Sequence, residues 1–330
     1  MKNFEYAVPD SLDKVYEYLK APNTKLKAGG IDLLDLMKEE ITAPARLVDI
    51  RDLKELMILG EDNNGSMCIG AGHTLSELAT SKSLQGPFLA LAQAVGNAAI
   101  PQVRNVATLG GNLCQRPRCW YFRSSDFHCS RKGGATCFAL DGENQYHAIF
   151  ENSDGCAMVQ PSSSAVALLA LNARLKINNG DNETEVPIEK FYVPPGTDIE
   201  RETILKTDQV ILAAVIPAEM KSYVSFYMKQ KEKQAYDWPL ADVAVALKIE
   251  GTICKDARIA MGSVAPIPLR ALAAEKYLVN KKLDKGSAES AAAVAVQSAT
   301  PLGENTFKIR IIQTMIYRTL CQAAGIDPMN

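Results

Sequence analysis

The sequence predicts an α/β protein that ends in a smaller α+β domain. Over the first 220 residues, segments with strand patterns alternate with segments of helical periodicity, as in α/β folds. From about Tyr223 onward the strands come first and the helices last, which indicates a separate α+β domain. A chain of 330 residues has room for two or three domains. We therefore expect two α/β parts, residues 1–55 and 56–220, and a C-terminal domain over 221–330.

The first part has the pattern of a small βαβ unit. In "SLDKVYEYLK" the apolar residues recur at helical spacing, and Ser11 is suited to the N-cap. The segment "KLKAGG" predicts a short strand that ends in a glycine turn. "IDLLDLMKEE" then predicts a helix, and "ARLVDI" predicts the next strand of the unit.

The second part begins with a new strand, "SMCIGAG". Helices are predicted at "TLSELATS", "FLALAQAVGNAA" and "SSSAVALLALNA". "RLKI" and "VILAAVIP" have the apolar, β-branched composition of strands, and "VPPGTD" predicts a loop between them.

The C-terminal domain opens with the alternating pattern of "YVSFYMKQ". The segment "DVAVALKIEGTICKDARIAMGSVAP" predicts two or three antiparallel strands that turn at Glu250-Gly251. Two helices follow, at "SAESAAAVAVQSA" and "NTFKIRIIQTMIYRTLCQAA", and Ser287 is expected to open the first.

The composition excludes several classes of protein. The formal net charge is -2, whereas nucleic-acid-binding proteins usually carry a basic excess. No apolar run approaches the roughly 18 residues of a membrane span, and "MKNFEYAVPDS" lacks the apolar core of a signal peptide. We therefore expect a cytoplasmic protein without a membrane or nucleic-acid partner.

Two stretches place paired glycines between a strand and a helix: "KAGGIDLL" and "ATLGGN". Successive backbone N–H groups in such turns form an anion-binding concavity, and the missing side chains let a phosphate approach. For either pair alone, a tight turn is the simpler interpretation. Two pairs with similar flanks favour a cofactor that carries phosphate.

A third glycine stretch, "IGAGHTL", contains Gly70 and Gly72 after a predicted strand. It lacks the third glycine of the dinucleotide fingerprint, because Leu75 stands in that place, and no acidic residue follows about 20 positions on. This stretch is a weak indication of a Rossmann site.

The cysteines are unevenly distributed. Five of the eight lie between positions 114 and 156, and the spacing of the last four is Cys119-x9-Cys129-x7-Cys137-x18-Cys156. Thiolates gathered in fours bind zinc or an iron–sulfur cluster. Zinc sites more often contain C-x2–4-C pairs, so the wide spacing favours a cluster held by a long loop. We interpret the remaining three as buried packing residues: Cys68, Cys254 and Cys321.

The segments "LKAGGIDLLDLMK" and "VRNVATLGGNL" resemble the two flavin-pyrophosphate motifs of the medium, FAD-binding subunit of the xanthine dehydrogenase and aldehyde oxidoreductase family. "VILAAVIP", "SFYMKQ" and "DVAVAL" also resemble segments of that family, so the resemblance covers nearly the whole chain. It implies the two-part FAD-binding fold of vanillyl-alcohol oxidases (the PCMH type), followed by the C-terminal domain of CO dehydrogenase flavoproteins.

The resemblance also implies the residues that contact FAD. Ser164 stands where many relatives have aspartate, so a hydroxyl would replace a carboxylate there. Lys229 would otherwise be interpreted as an exposed lysine on an edge strand. The implied FAD-binding residues are Lys27, Ala28, Gly29, Gly30, Ile31, Asp32, Leu33, Leu34, Thr108, Gly110, Gly111, Asn112, Ser164, Ile211 and Lys229.

The cysteine-rich segment, at about residues 114–158, is an insertion relative to ordinary members of the family. It is similar to the loop that holds a [4Fe–4S] cluster in the flavin subunits of 4-hydroxybenzoyl-CoA reductase and of PaoABC-type aldehyde oxidoreductases. The resemblance implies Cys119, Cys129, Cys137 and Cys156 as ligands, and Cys114 is the substitute for Cys156.

The insertion also carries five basic residues, which either offset the charge of a thiolate-bound cluster or form an ordinary basic surface. These residues are Arg116, Arg118, Arg123, Arg131 and Lys132.

The resemblance implies an electron-transfer subunit of an oxidoreductase complex. Its partners would be a small subunit with [2Fe–2S] clusters, a large molybdopterin subunit and an external carrier such as ferredoxin. If a partner bears a signal peptide, the complex could be exported from the cytoplasm.

Two alternatives stay open: a self-contained flavin oxidase of the vanillyl-alcohol type, and a zinc-stapled binding module. No histidine among His73, His128 and His147 is a convincing acid–base group for the oxidase. The sequence does not name the organic substrate, the direction of electron flow or the acceptor.

Overall fold

A small parallel sheet forms the first layer of the protein, whose computed structural model describes residues 1–233 and 237–328. Its strands lie in the order β1-β3-β2, and both pairings are parallel. Parallel neighbours need crossover connections, and the two helices of this unit provide them. The elements are β1 (Glu5–Ala7), α1 (Leu12–Leu19), β2 (Thr24–Lys27), α2 (Ile31–Lys38) and β3 (Arg46–Asp49). The predicted βαβ unit is confirmed, with Ser11 at the N-cap of α1.

The second sheet has five strands among the described residues, in the order β4-β5-β8-β6-β7, and every pairing is antiparallel. The strands are β4 (Leu59–Glu61), β5 (Met67–Gly70), β6 (Arg174–Asn178), β7 (Glu183–Pro187) and β8 (Val210–Ile216). Six helices lie in the connection between β5 and β6: α3 (Leu75–Thr80), α4 (Leu89–Gly96), α5 (Pro101–Arg104), α6 (Leu109–Leu113), α7 (Trp120–Arg123) and α8 (Ser163–Ala170). The apolar side chains of α4 and α8 are almost all buried, and they form the core of this part with β5, β6 and β8.

The third sheet is antiparallel in the order β12-β11-β10-β9, and the three helices that follow it cover one face. Its elements are β9 (Val224–Lys231), β10 (Pro239–Glu250), β11 (Ile253–Gly262), β12 (Leu269–Arg270), α9 (Leu272–Leu278), α10 (Lys285–Ala295) and α11 (Phe307–Ala323). The predicted turn at Glu250-Gly251 is present. The prediction that Ser287 opens α10 was wrong. Asp284 is the N-cap, and Ser287 is its partner in a capping box.

The segment from residue 114 to 158, called the insertion below, has little regular structure, only α7 and a single 3₁₀ turn at Ser130–Lys132. It packs in two directions. Phe122 and Cys129 contact Leu36 of α2, whereas Ile149 and Phe150 belong to the core under the third sheet. The insertion therefore touches both the first layer and the C-terminal domain.

The boundaries at residues 55 and 220 stay predictions. Tyr227, Ala244, Ala246 and Ala260 of the third sheet pack into the core built by α4 and α8, so the apolar core is continuous across the second boundary. Within the described ranges, no helix is long and apolar enough to cross a membrane.

Candidate functional site

A cleft of about 500 Å³ lies where the two glycine turns meet. Its wall includes the first turn from Lys27 to Leu33, and Thr108, Gly111 and Asn112 of the second. Lys229 of β9 lies on the wall as well. The cleft falls in the usual size range for sites that bind small molecules, about 300 to 1,000 Å³.

The first glycine turn connects β2 to α2. A Cβ on Gly29 would lie 2.2 Å from the carbonyl oxygen of Val106, which precedes the second turn. Gly29 therefore allows the two turns to touch. Gly30 is the N-cap of α2 and has a φ of +75°, in the left-handed region that favours glycine. The first N–H groups of α2 have no acceptor within the helix, so they can bind an anion.

The second turn opens α6. Thr108 is the N-cap, and its hydroxyl accepts a hydrogen bond of 3.2 Å from the Gly111 N–H. A Cβ on Gly111 would meet only this hydroxyl, at 3.2 Å, so the position is otherwise open toward the cleft. Asn112 is held by the Ser162 hydroxyl, which donates to its Oδ1 at 2.7 Å.

Four predicted FAD-binding residues do not line the cleft. Gly110 faces away from it, and an added Cβ would lie 3.0 Å from the Cβ of Ala71. Leu34 packs over Gly30, and Ile211 of β8 is buried in the core of the second part. Ser164 is wholly buried with an unpartnered hydroxyl, and its neighbour Ser163 reaches the wall instead.

The other eleven predicted positions do line it: Lys27, Ala28, Gly29, Gly30, Ile31, Asp32, Leu33, Thr108, Gly111, Asn112 and Lys229.

Lys27 is neutralised within the wall of the cleft. Its Nζ lies 2.7 Å from Oδ2 of Asp49, and the Tyr6 hydroxyl also donates to that carboxylate. Burial alone would raise the pKa of Asp49, but the hydrogen bonds from Lys27 and Tyr6 lower it overall. Lys27 is thereby fixed in position beside the first turn.

Lys229 also lies on the wall of the cleft, but its surroundings differ from those of Lys27. Its Nζ donates to the carbonyl oxygen of Asn97 at 3.2 Å, and burial lowers its pKa to about 8 although Asp242 counteracts that effect. Since no carboxylate of the described residues pairs directly with it, Lys229 can change its charge near pH 8.

Asp32 ties the first turn to the insertion. Its carboxylate lies 2.8 Å from Arg118 and 2.7 Å from Arg123, and it accepts a bond of 2.9 Å from the Arg116 backbone N–H. Arg118 also lies over the ring of Trp238, 4.5 Å from its centroid. The Asp32 carboxylate is therefore used to hold the insertion against the cleft.

Glu202 makes the second tie between the cleft and the insertion. Arg116 binds it through Nε and Nη2, at 2.9 to 3.0 Å, and Arg131 donates to the same carboxylate at 3.0 Å. Glu202 lines the cleft, whereas Arg131 lines a second, smaller cavity.

The four predicted cysteine ligands line one small cavity behind the cleft. Cys119, Cys129, Cys137 and Cys156 all border this cavity, called the thiol cavity below. Cys114 lines the cleft instead. Over residues 1–233 and 237–328, no group of three or more His, Cys, Asp or Glu side chains has the arrangement of a single-ion metal site.

The thiols contact one another and the backbone. The Cys137 thiol hydrogen-bonds to Cys156, and this bond, followed by the charge of Arg131, lowers the pKa of Cys156 to about 6 against the opposing effect of burial. Burial raises the pKa of Cys119 to about 11, although the backbone N–H groups of Phe122 and Tyr121 counteract it. His147 approaches Cys119, with 3.2 Å between Nε2 and Sγ. The cavity is therefore lined with donors directed at sulfur.

Several residues of the site were not predicted as cofactor contacts. Ser163, Gln115, Arg116, Glu202 and Trp238 all line the cleft. Arg116 was noted only as one of the basic residues of the insertion. The others lie in loops, or beside predicted motifs, and no spacing rule identifies them.

A cleft between subdomains, bounded by two glycine turns at helix N-termini, defines a protein that binds a phosphate-bearing cofactor. The comparisons with known proteins agree with this class. The family model described as "FAD binding domain in molybdopterin dehydrogenase" matches residues 2–219, and the one described as "CO dehydrogenase flavoprotein C-terminal domain" matches residues 226–323.

Whole-chain relatives point the same way. The chain is 32% identical to the aldehyde oxidoreductase FAD-binding subunit PaoB of Escherichia coli, covering 98% of this chain and 99% of that one. It is 26% identical to the carbon monoxide dehydrogenase medium chain of Hydrogenophaga pseudoflava, covering 96% of each. The solved structure of carbon monoxide dehydrogenase from that organism has a chain that superimposes with a TM-score of 0.75 over 98% of each chain, at 27% identity.

The chain therefore belongs to the family of FAD-binding medium subunits of the xanthine dehydrogenase, aldehyde oxidoreductase and CO dehydrogenase complexes. It is an oxidoreductase subunit, and its two matched domains are the FAD-binding domain and the flavoprotein C-terminal domain.

Proposed function

We propose that this chain is the electron-transfer subunit of a molybdopterin-dependent dehydrogenase and that it holds a [4Fe–4S] cluster in addition to FAD. FAD, when bound, exchanges electrons both in pairs and singly, which iron–sulfur clusters alone do not. The observation that carries the proposal is the pair of adjacent sites, a cleft with two glycine turns and a cavity with four cysteines.

The residues of the cleft fit FAD. The first N–H groups of α2 and the open face of Gly111 are suited to a pyrophosphate. Lys229 would lie near the ring system, as the family resemblance implies. The chain itself binds and orients the cofactor, and no side chain in this site is proposed as a catalytic acid or base.

The donor set of the thiol cavity fits an iron–sulfur cluster. Four thiols supply a complete ligand set, and backbone N–H groups directed at sulfur are the usual environment of such clusters. Cys137 and Cys156 contact each other in this structure, so they would have to separate around a cluster.

The proposal includes partners. The relatives whose names mention subunits or medium chains come from multi-subunit complexes, which supports a small [2Fe–2S] subunit and a large molybdopterin subunit here. An external carrier such as ferredoxin would accept or supply electrons. The chain would act in the cytoplasm, or wherever its complex is delivered.

The test is the iron and sulfide content of the full chain after anaerobic purification. We expect about four irons and four acid-labile sulfides per chain. Cys137→Ser should lower both sharply and keep FAD, because Cys137 lines the thiol cavity and not the cleft.

Cys114→Ser is the matched control and should keep the full iron content, since Cys114 lines the cleft. If the chain contains zinc and no sulfide, the four cysteines bind a structural metal and the cluster assignment is wrong. Loss of iron in Cys114→Ser but not in Cys156→Ser would overturn the ligand assignment.

A further inference from the structure

Arg131 is a buried cation with unused hydrogen-bond donors. Its side chain is 1% exposed, and its Nη1 donates to Oε1 of Glu202 at 3.0 Å. Its Nε and Nη2 atoms are also buried, and no oxygen or nitrogen atom of the described residues accepts a hydrogen bond from them. A buried charge that is only partly compensated is unfavourable, so an additional anionic partner is expected at this place.

The carboxylate of Glu202 does not compensate Arg131 by itself, because Arg116 binds the same group. Arg116 reaches both oxygens of Glu202 through Nε and one of them through Nη2. Two guanidinium groups thus share one negative charge, and a positive charge remains between them.

The free side of Arg131 faces the thiol cavity. Arg131 lines this cavity together with all four cysteines. Its charge, and after it a hydrogen bond from its guanidinium, stabilise the Cys156 thiolate. Among the five basic residues of the insertion, Arg131 alone borders the cavity, whereas Arg118 and Arg123 pair with Asp32.

We propose that Arg131, held by Glu202, is a positioning residue that balances the negative charge of a thiolate-bound cluster and sets its reduction potential. The inference rests on the proposed function, since it requires the cluster. Glu202 at the same time lines the cleft, so one carboxylate fixes the charge behind the cleft and part of the cleft wall.

The sign of the effect follows from electrostatics. Reduction adds an electron to an anionic cluster, and a nearby positive charge stabilises the reduced form more than the oxidised form. Removal of the charge of Arg131 therefore lowers the reduction potential. Because the site is buried, solvent screening is weak, and the effect is larger than for a surface charge.

The experiment is a redox titration of the cluster in the full chain, followed by EPR, in wild type, Arg131→Gln, Arg131→Lys and Lys132→Gln. In Arg131→Gln we expect the reduced-to-oxidised ratio at a fixed potential to fall about tenfold, equivalent to about 59 mV for a one-electron couple. Arg131→Lys keeps the charge and should lie near wild type. Lys132→Gln removes a neighbouring charge that does not border the thiol cavity and should leave the potential unchanged.

Each outcome decides between the hypotheses. A lowered potential in Arg131→Gln alone supports the proposal, and so does loss of the cluster in Arg131→Gln when Arg131→Lys retains it. An unchanged potential in Arg131→Gln, an equal shift in Lys132→Gln, or loss of the cluster in both Arg131 variants overturns it. A wild-type chain without iron and sulfide refutes the proposed function, and the role of Arg131 with it.

Discussion

Gly110 and Gly111 are adjacent, yet the structure predicts opposite effects when each is replaced by alanine. In Gly111→Ala the new methyl group meets only the Thr108 hydroxyl, at 3.2 Å, and otherwise enters the cleft. In Gly110→Ala it lies 3.0 Å from the Cβ and 3.3 Å from the carbonyl oxygen of Ala71. The first change blocks the surface proposed for the pyrophosphate, whereas the second strains the fold.

The magnitudes follow from these contacts. Alanine is favoured over glycine by about 1 kcal/mol within a helix, so Gly111→Ala should not destabilise the protein. Its FAD affinity should fall at least about tenfold, since the phosphate and the methyl group compete for one place. Gly110→Ala overpacks the contact with Ala71 and should lower the free energy of unfolding by about 1 to 3 kcal/mol, with little change in FAD affinity once folded.

The two effects are measured separately. Flavin fluorescence during titration of the apoprotein gives the dissociation constant of FAD, and urea unfolding of the same apoprotein followed by circular dichroism gives stability. Gly60→Ala is the control, because an added Cβ there meets nothing within 4 Å. Wild-type FAD affinity in Gly111→Ala, or an equal loss of affinity in both variants, would refute the placement of the cofactor.

Three further predictions concern charges. Asp32→Asn should expose the insertion to trypsin and lower the free energy of unfolding by about 2 kcal/mol, because Asp32 holds Arg118 and Arg123. Asp35→Asn is the control and should have little effect, because the Asp35 carboxylate is more exposed. FAD affinity should decrease as the pH rises through about 8, where Lys229 loses its charge, and Lys229→Met should lack this step although Lys231→Met keeps it. Lys308→Met should destabilise the protein, because three backbone carbonyls lose their donor. The free energies of unfolding of wild type and variant, measured in urea, should differ more at alkaline pH than at pH 7.

The sign of the Lys308 effect comes from its pKa, which burial lowers from 10.5 to about 7. The unfolded chain therefore binds more protons than the folded chain between these two values, so wild-type stability rises with pH in that interval. Lys308→Met lacks this rise. A difference that shrinks with increasing pH would contradict this interpretation of Lys308. Unaltered trypsin cleavage in Asp32→Asn would contradict the role of Asp32 in holding the insertion.

Local sequence patterns predicted the elements that carry strong periodicity or clear punctuation. The helices α1 and α2 and the strands β2 and β3 occur where apolar spacing and the first glycine turn place them. Elements with weaker patterns were missed. The strand β7 has the sequence "ETEVP" and lies exposed at a sheet edge, so tertiary pairing rather than composition determines it.

The site divides in the same way. The backbone geometry of a glycine turn is determined by adjacent residues in the sequence. The parts of the cleft wall that the two turns build were therefore predicted. Glu202 was missed because its role depends on Arg116 and Arg131, which are more than seventy residues away in sequence. Ser164 was placed in the site by family resemblance, yet the local path of α8 turns Ser163 to the cleft and buries Ser164.

The end of the insertion is anchored by two residues of the C-terminal domain. Asn305 donates to the carbonyl oxygens of His147 and Ala148, and Lys308 donates to those of Tyr146 and His147. His147 in turn contacts Cys119. During synthesis the earlier parts of a chain emerge and fold first. The wall of the thiol cavity is therefore completed only after the C-terminal domain has been synthesised and has folded against the insertion.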